Sequence, residues 1–139
     1  FTATAVNDTP VANDDSATTD EETAVTVDVV ANDSDIDGNL DPTTVTVTSG
    51  PANGTATVDP VTGAITYTPD ADFNGTDSLT YEICDTDALC DTATVTFTID
   101  PVNDAPVAND DTASVDAGAS VVIDVLGNDS DICVCTRPP

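Results

Sequence analysis

Ser78-Leu79-Thr80-Tyr81-Glu82-Ile83-Cys84 and Thr92-Ala93-Thr94-Val95-Thr96-Phe97-Thr98-Ile99 alternate polar and apolar residues without a break. Successive side chains of a strand point to opposite faces, so this two-residue period predicts a pair of half-buried strands. Leu79, Tyr81 and Ile83 face inward on the first, and Val95, Phe97 and Ile99 on the second. A short acidic turn, Asp85-Thr86-Asp87-Ala88-Leu89, joins them between Cys84 and Cys90.

Working outward, the same alternation predicts strands at residues 11–18, 23–30, 43–49, 55–59 and 64–68. Val25, Val27 and Val29 share one face of the second of these. Gly50-Pro51-Ala52-Asn53-Gly54 and Asp59-Pro60-Val61-Thr62-Gly63 supply turn chemistry. No segment carries a 3.6-residue apolar period. Seven short strands spaced by turns predict an all-β, antiparallel β-sandwich. The chain is 39% hydrophobic but only 4% aromatic, so its core must be built from Val, Ile, Leu and Ala.

The chain also repeats itself. Residues 6–36 align with 102–132 at 19 identities in 31, a period of 96 residues. A period that long suits a whole domain rather than a solenoid unit. The expected organisation is the end strand of a preceding repeat plus linker at 1–9, one complete sandwich at 10–101, and linker plus the first two strands of a second repeat at 102–139. Residues 1–5 match the end of the strand at 92–99. Residues 102–139 are too few to bury a core of their own. With no initiator methionine and no signal peptide, Phe1 is expected to be a processed or cut end.

Charge limits the partners. There are 27 acidic residues against one basic residue, Arg137, for a net charge of −26. Nucleic acid is excluded as a natural partner, because phosphate contacts need Lys and Arg. An anionic membrane surface is disfavoured for the same reason, and no apolar run approaches membrane-spanning length. There is no His, Lys, Met or Trp. That removes the usual general bases, Schiff-base nucleophiles and imidazole-ligated zinc, and also Lys-based isopeptide cross-links. Arg137 precedes Pro138, so trypsin has no good site even in the unfolded chain.

The acidic residues cluster. Ala31-Asn32-Asp33-Ser34-Asp35-Ile36-Asp37-Gly38-Asn39 places three carboxylates at alternate positions before a glycine. Three like charges in five residues repel one another unless a cation neutralises them, and calcium takes six to eight oxygens in flexible geometry. Asp33, Asp35, Asp37 and Asn39 are the expected calcium ligands, with remaining oxygens from Asp8, Asp14 or backbone carbonyls. The bland alternative is a solvated polar turn. The loop is not an EF-hand, for no helices flank it and its twelfth position is Thr44 rather than Glu. Counting strands up and down puts this loop at the same end as Asn7-Asp8 and Asp14-Asp15. Glu22, Asp72, Asp100, Asn103 and Asp104 fall at the other end, where Asp129 and Asp131 of the next repeat would join them in a second junction site; each could equally be a turn former. Close carboxylates also suggest a glycosidase acid–base pair, but the acids lie in strand-end loops and Tyr67 and Tyr81 fall on core-alternating faces. A carbohydrate- or ligand-binding lectin-like sandwich remains the rival reading.

Cys84 and Cys90 are expected to form a disulfide, which implies an oxidising compartment. Cys133 and Cys135 are too close for a relaxed bridge to each other and could link neighbouring subunits. Transition-metal chelation by all four is the alternative.

Residues 10–15, 25–39, 63–75 and 77–95, with the Asp100…Asn103-Asp104-Ala105-Pro106 junction, resemble the cadherin-like, Ig-like tandem repeats of large bacterial surface proteins and adhesins. The resemblance implies an extracellular seven-stranded Ig-like/cadherin-like β-sandwich strung head to tail, with calcium rigidifying the linkers. Asp33, Asp35 and Asp37 look like the cadherin acidic loop of the following domain; Cys133-Val134-Cys135 departs from that loop in the second copy. The expected role is a non-enzymatic structural module, either a segment of a stalk or a subunit that lends strands to identical neighbours.

Overall fold

The structure, a computed structural model, describes residues 1–132. Its contacts divide into two compact units, Phe1–Asp100 and Pro101–Pro139. The first holds every strand among the described residues: β1 (Asp15–Asp20), β2 (Val25–Val27), β3 (Leu40–Ser49), β4 (Gly54–Val58), β5 (Ile65–Pro69), β6 (Gly75–Asp85) and β7 (Cys90–Asp100). They form two sheets, one ordered β1-β7-β6-β3 and the other β2-β5-β4.

Six of the seven strands pair antiparallel, but β1 and β7 run parallel, with Asp15 opposite Val95 and Asp20 opposite Asp100. The expectation of a wholly antiparallel sandwich is therefore corrected. The reason is parity: strands that alternate direction along the chain run the same way when both ordinals are odd. The first and seventh become neighbours here, so they must be parallel.

The hairpin of β6 and β7 is the longest element and stays in register from Gly75–Ile99 to Cys84–Cys90. Its inward residues Leu79, Tyr81, Ile83, Val95, Phe97 and Ile99 are buried. Ile65 and Tyr67 of β5, Val45 of β3 and Val29 complete the core between the sheets. Tyr67 and Phe97 stack across that space with ring centroids 4.2 Å apart, and with Tyr81 they are among the largest fully buried side chains, so the expectation of a core made only of Val, Ile, Leu and Ala is corrected. Each large side chain buried this way contributes about 1.5–3 kcal/mol. Gly54 is required at its position: a Cβ there would lie 2.5 Å from the Thr68 carbonyl oxygen and 2.7 Å from the Tyr67 ring.

Several expected bounds shift. The first strand begins at Asp15, and Val11 makes only a single bridge, to Ser34. The second stops at Val27, and a 3-10 turn over Val29–Asn32 follows. That turn buries Val29 completely. Residues 1–5 form no strand and Phe1 is fully exposed. The second copy also lacks its two expected strands. Among its described residues it has turns and one bridge, Val107 to Ser130. Neither segment has a ladder partner, and lone strands are unstable in water.

Candidate metal centre

The chain entering β1 and the loop leaving β2 are clasped together. Val11 and Ser34 exchange backbone hydrogen bonds of 2.8 and 3.0 Å. The Asn13 N–H donates to Asp33 Oδ1 at 2.8 Å, and its side-chain amide to the Asn32 carbonyl at 2.8 Å. Asn32 returns a bond to the Asp14 carbonyl at 3.2 Å and one to Asp15 Oδ1 at 3.0 Å. From beneath, the buried Tyr81 hydroxyl donates to Asp33, with both carboxylate oxygens 3.0 Å away.

Asp33 is thus engaged with the core. Its burial pushes the carboxyl above the ordinary range, against the opposing hydrogen bonds from Asn13 and Tyr81. Burial and the neighbouring Asp33 push the Asp15 carboxyl up to about 6. Burial also raises the Tyr81 phenol, as does its bond to Asp33. Asp14 is turned aside, with Oδ1 accepting the Thr94 N–H at 2.9 Å.

Further along the same loop, Asp35, Asp37 and Asn39 are held by a second set of hydrogen bonds. Asp37 Oδ2 accepts the Asp8 N–H at 2.7 Å, tying the linker to the loop. Asp35 Oδ1 accepts the Asp37 N–H at 2.7 Å. The Asn39 amide donates to Asn7 Oδ1 at 2.9 Å and to Asp87 Oδ2 at 3.2 Å. Two oxygens are left over: Asp35 Oδ2 and Asn39 Oδ1 are buried without a donor. Buried acceptors are almost always satisfied, so an unpaired pair calls for an explanation. A cavity of about 260 Å³ is lined by Ala5, Val6, Asn7, Asp37, Asn39 and Asp87, and so reaches Asn39 but not Asp35. Every polar ligand atom offered is a carboxylate or amide oxygen, the donor set of a hard cation such as calcium.

Asp85, Asp87 and Asn7 were absent from the expected ligands. Asp85 is 2% exposed and holds the β6–β7 turn. It accepts the Asp87 and Leu89 N–H groups at 2.8 and 2.9 Å and the Asn7 amide at 2.7 Å. Burial raises its carboxyl, but hydrogen bonds from Asn7 and the turn's backbone outweigh this and hold it below the usual carboxylate range. The signal was present in the acidic turn Asp85-Thr86-Asp87, which the strand count places at this same end. Cys84 and Cys90, opposite one another across β6 and β7, form the expected disulfide with Cα atoms 4.0 Å apart.

The opposite end is less organised. Glu22 and Asp72 occupy turn positions with φ of 60° and expose their side chains. Asp100 ends β7, where its carbonyl accepts the Glu21 N–H at 2.9 Å. Glu21, not Glu22, is the carboxylate turned inward, and Asn74 donates to it at 3.4 Å. In the second unit, the Asn103 side chain caps the Asp104 carbonyl at 2.9 Å. There the clasp recurs. The Asn109 N–H donates to Asp129 Oδ1 at 2.8 Å, and its amide to the Asn128 carbonyl at 2.7 Å. The Val107–Ser130 bridge matches Val11–Ser34. Asp131 is exposed; Cys133 and Cys135 lie outside the described residues.

The bacterial Ig domain model matches residues 7–98. No curated protein sequence matches the chain. Among solved structures it is similar to the endo-fucoidan hydrolase MfFcnA4 from glycoside hydrolase family 107, at 24% identity and a TM-score of 0.53, over 78% of this chain and 17% of that one. It is also similar to the extracellular cadherin domains 1–4 of protocadherin gamma B7, at 17% identity and a TM-score of 0.50, over 77% of this chain and 28% of that one. These likenesses show the two-sheet fold, and the chain spans under a third of either structure.

Proposed function

The chain belongs to the bacterial Ig domain family, and from that premise we propose that it is a non-enzymatic structural module of an extracellular tandem-repeat stalk or filament, stiffened by calcium at its linker end. The observation that carries this reading is the pair of buried, donorless oxygens, Asp35 Oδ2 and Asn39 Oδ1. Asp8, Asp35, Asp37, Asn39 and Asp87 would hold the ion, and bound calcium would supply the positive charge that this acidic cluster lacks. Asp37 already ties Asp8 of the linker to the loop, and Asn39 ties Asn7 to it. Filling the site would therefore fix the linker's direction. A sugar-binding role has no comparable support, because Tyr67 and Tyr81 are fully buried.

Calcium titration by calorimetry, with melting curves in calcium and in chelator, tests the reading. Ligand at a hundred times its dissociation constant stabilises by about 2.7 kcal/mol. Asp35→Asn and Asn39→Ala should each weaken binding. Identical melting curves with and without chelator at low ionic strength would sink the calcium role.

The reading extends to how modules join. Residues 1–5 correspond by the repeat to the end of β7, and β7 is the parallel partner of β1. In a filament, residues 1–5 of one copy would lie beside residues 111–116 of a neighbour, adding a strand through main-chain hydrogen bonds. A head-to-tail contact of this kind propagates instead of closing. Sedimentation of the chain in calcium, with and without residues 1–5, tests it. A monomer at high concentration, or fibres indifferent to the deletion, would remove strand exchange and leave the calcium site standing.

A further inference from the structure

Glu82, Cys84 and Cys90 stand together on the outer face of the β6–β7 hairpin. Glu82 and Cys84 are two residues apart on one strand and so share a face, and Cys90 is directly opposite Cys84. One carboxylate oxygen and the two sulfurs all lie within 4.8 Å of one another. The Glu82 carboxylate takes no hydrogen bond from the described residues. Cys90 is exposed, so the pair is open to solvent and to a reductant. With the disulfide closed, the sulfurs are poor metal ligands, since it is the thiolate that binds.

We propose that reduction of Cys84–Cys90 converts this cross-link into a binding site for a thiophilic divalent cation of the zinc class. Its ligands are two thiolates and the Glu82 carboxylate, with water in the fourth position. A dithiol supplies two electrons and two protons. The protein S–S bond breaks to two thiols, and the reductant closes to its own cyclic disulfide. The cation then displaces the two thiol protons to solvent. Zinc–sulfur bonds of about 2.3 Å in a tetrahedral site keep two thiolates a little under ~4 Å apart. The Cα atoms of Cys84 and Cys90 are 4.0 Å apart and a disulfide holds its Cβ atoms about 3.5–4.5 Å apart, so rotation about the side-chain torsions opens the sulfurs to that separation without moving the backbone. A glutamate two residues along the same face has the reach to close the third corner.

This site is distinct from the oxygen cluster at Asp35 and Asn39. Calcium prefers hard oxygen ligands, and the zinc class prefers thiolate. The two therefore sort between the sites, and the inference does not rest on the calcium reading.

The experiment uses the full chain with Cys133→Ser and Cys135→Ser, in excess calcium to keep the oxygen cluster occupied. The protein is reduced with a dithiol, freed of it under inert gas, and titrated with cobalt(II) as a spectroscopic stand-in, then with zinc(II) against a chromophoric chelator. One cobalt per chain should bind, with a thiolate charge-transfer band and the visible absorption of tetrahedral cobalt. Reoxidation should abolish both. Glu82→Gln should weaken zinc binding by about tenfold or more, and Cys84→Ser should remove the charge-transfer band at stoichiometric cobalt. The proposal is overturned by a reduced chain that shows no thiolate band, by a band that survives Cys84→Ser, or by Glu82→Gln binding zinc as tightly as the parent.

Discussion

The Tyr67 hydroxyl donates to an Asp77 carboxylate oxygen 3.0 Å away, and this bond joins β5 of the three-stranded sheet to β6 of the four-stranded one. Asp77 also accepts the N–H groups of Ala52, Asn53 and Ser78 at 3.1, 2.8 and 2.8 Å. Burial alone would raise its carboxyl, but those four donors hold it below the ordinary value. The group therefore stabilises the fold above its unfolded pKa of 3.8 and loses that contribution as pH falls through its lower folded value. Asp77→Ala leaves several donors unpaired and should cost about 3 kcal/mol. Urea unfolding of the variant at neutral pH checks this, and an unchanged midpoint refutes it.

Asp15 runs in the opposite sense. Its carboxyl titrates near 6 in the folded chain, against 3.8 unfolded. Between those values the folded chain holds a proton that the unfolded chain has released. The stabilisation this group offers is thus complete below 3.8 and is lost as pH rises through about 6. Asp15→Asn should raise stability at neutral pH by about 1 kcal/mol, after discounting for solvent screening of a partly exposed carboxylate. It should also flatten the pH dependence across that window. Denaturant midpoints measured in chelator at several pH values test both outcomes.

Asp85 should control the metal site without occupying it. Asp85→Asn keeps one acceptor oxygen but sets an amide N–H against either the Asn7 donor on Oδ2 or the Asp87 and Leu89 donors on Oδ1, and removes the charge that strengthens all three bonds. The turn should loosen, and calcium affinity should fall about tenfold, or ~1.4 kcal/mol. Chelator competition reads the affinity. Hydrogen exchange at Asp87 and Leu89 reads the turn and should speed up.

The disulfide closes a loop of sequence separation 6. On the loop-entropy account, a bridge that short contributes about 2 kcal/mol. Reduction at constant calcium should lower the unfolding free energy from denaturant titration by that amount and leave the fold intact, because the β6–β7 ladder holds the hairpin along its whole length. Loss of the far-ultraviolet β signal on reduction would show that the bridge, not the ladder, holds the hairpin.

The local parts of this protein were legible in the chain because they depend on neighbours in sequence. The two-residue period marked which residues of β6 and β7 face the core. The 96-residue repeat marked the two segments that carry the clasp, and its hydrogen bonds, seen only in the folded chain, recur at Asn13–Asp33 and Asn109–Asp129 because the same residues recur at the same spacing. The disulfide followed from two cysteines flanking a hairpin turn. Other features needed the folded chain. Alternation says which face of a strand is apolar but not which strand lies beside it, so the parallel pairing of β1 with β7 came only with the sheet order. A ladder needs a partner, so residues 1–5 and 107–125 carry strand-like patterns without forming strands. The carboxylates Asp33, Asp35 and Asp37 look alike in sequence. Only the tertiary structure separates Asp33, held by Tyr81 of the core, from Asp35, whose second oxygen is buried without a donor. Burial and hydrogen-bond satisfaction are properties of what surrounds an atom, and residues distant in the chain supply those surroundings.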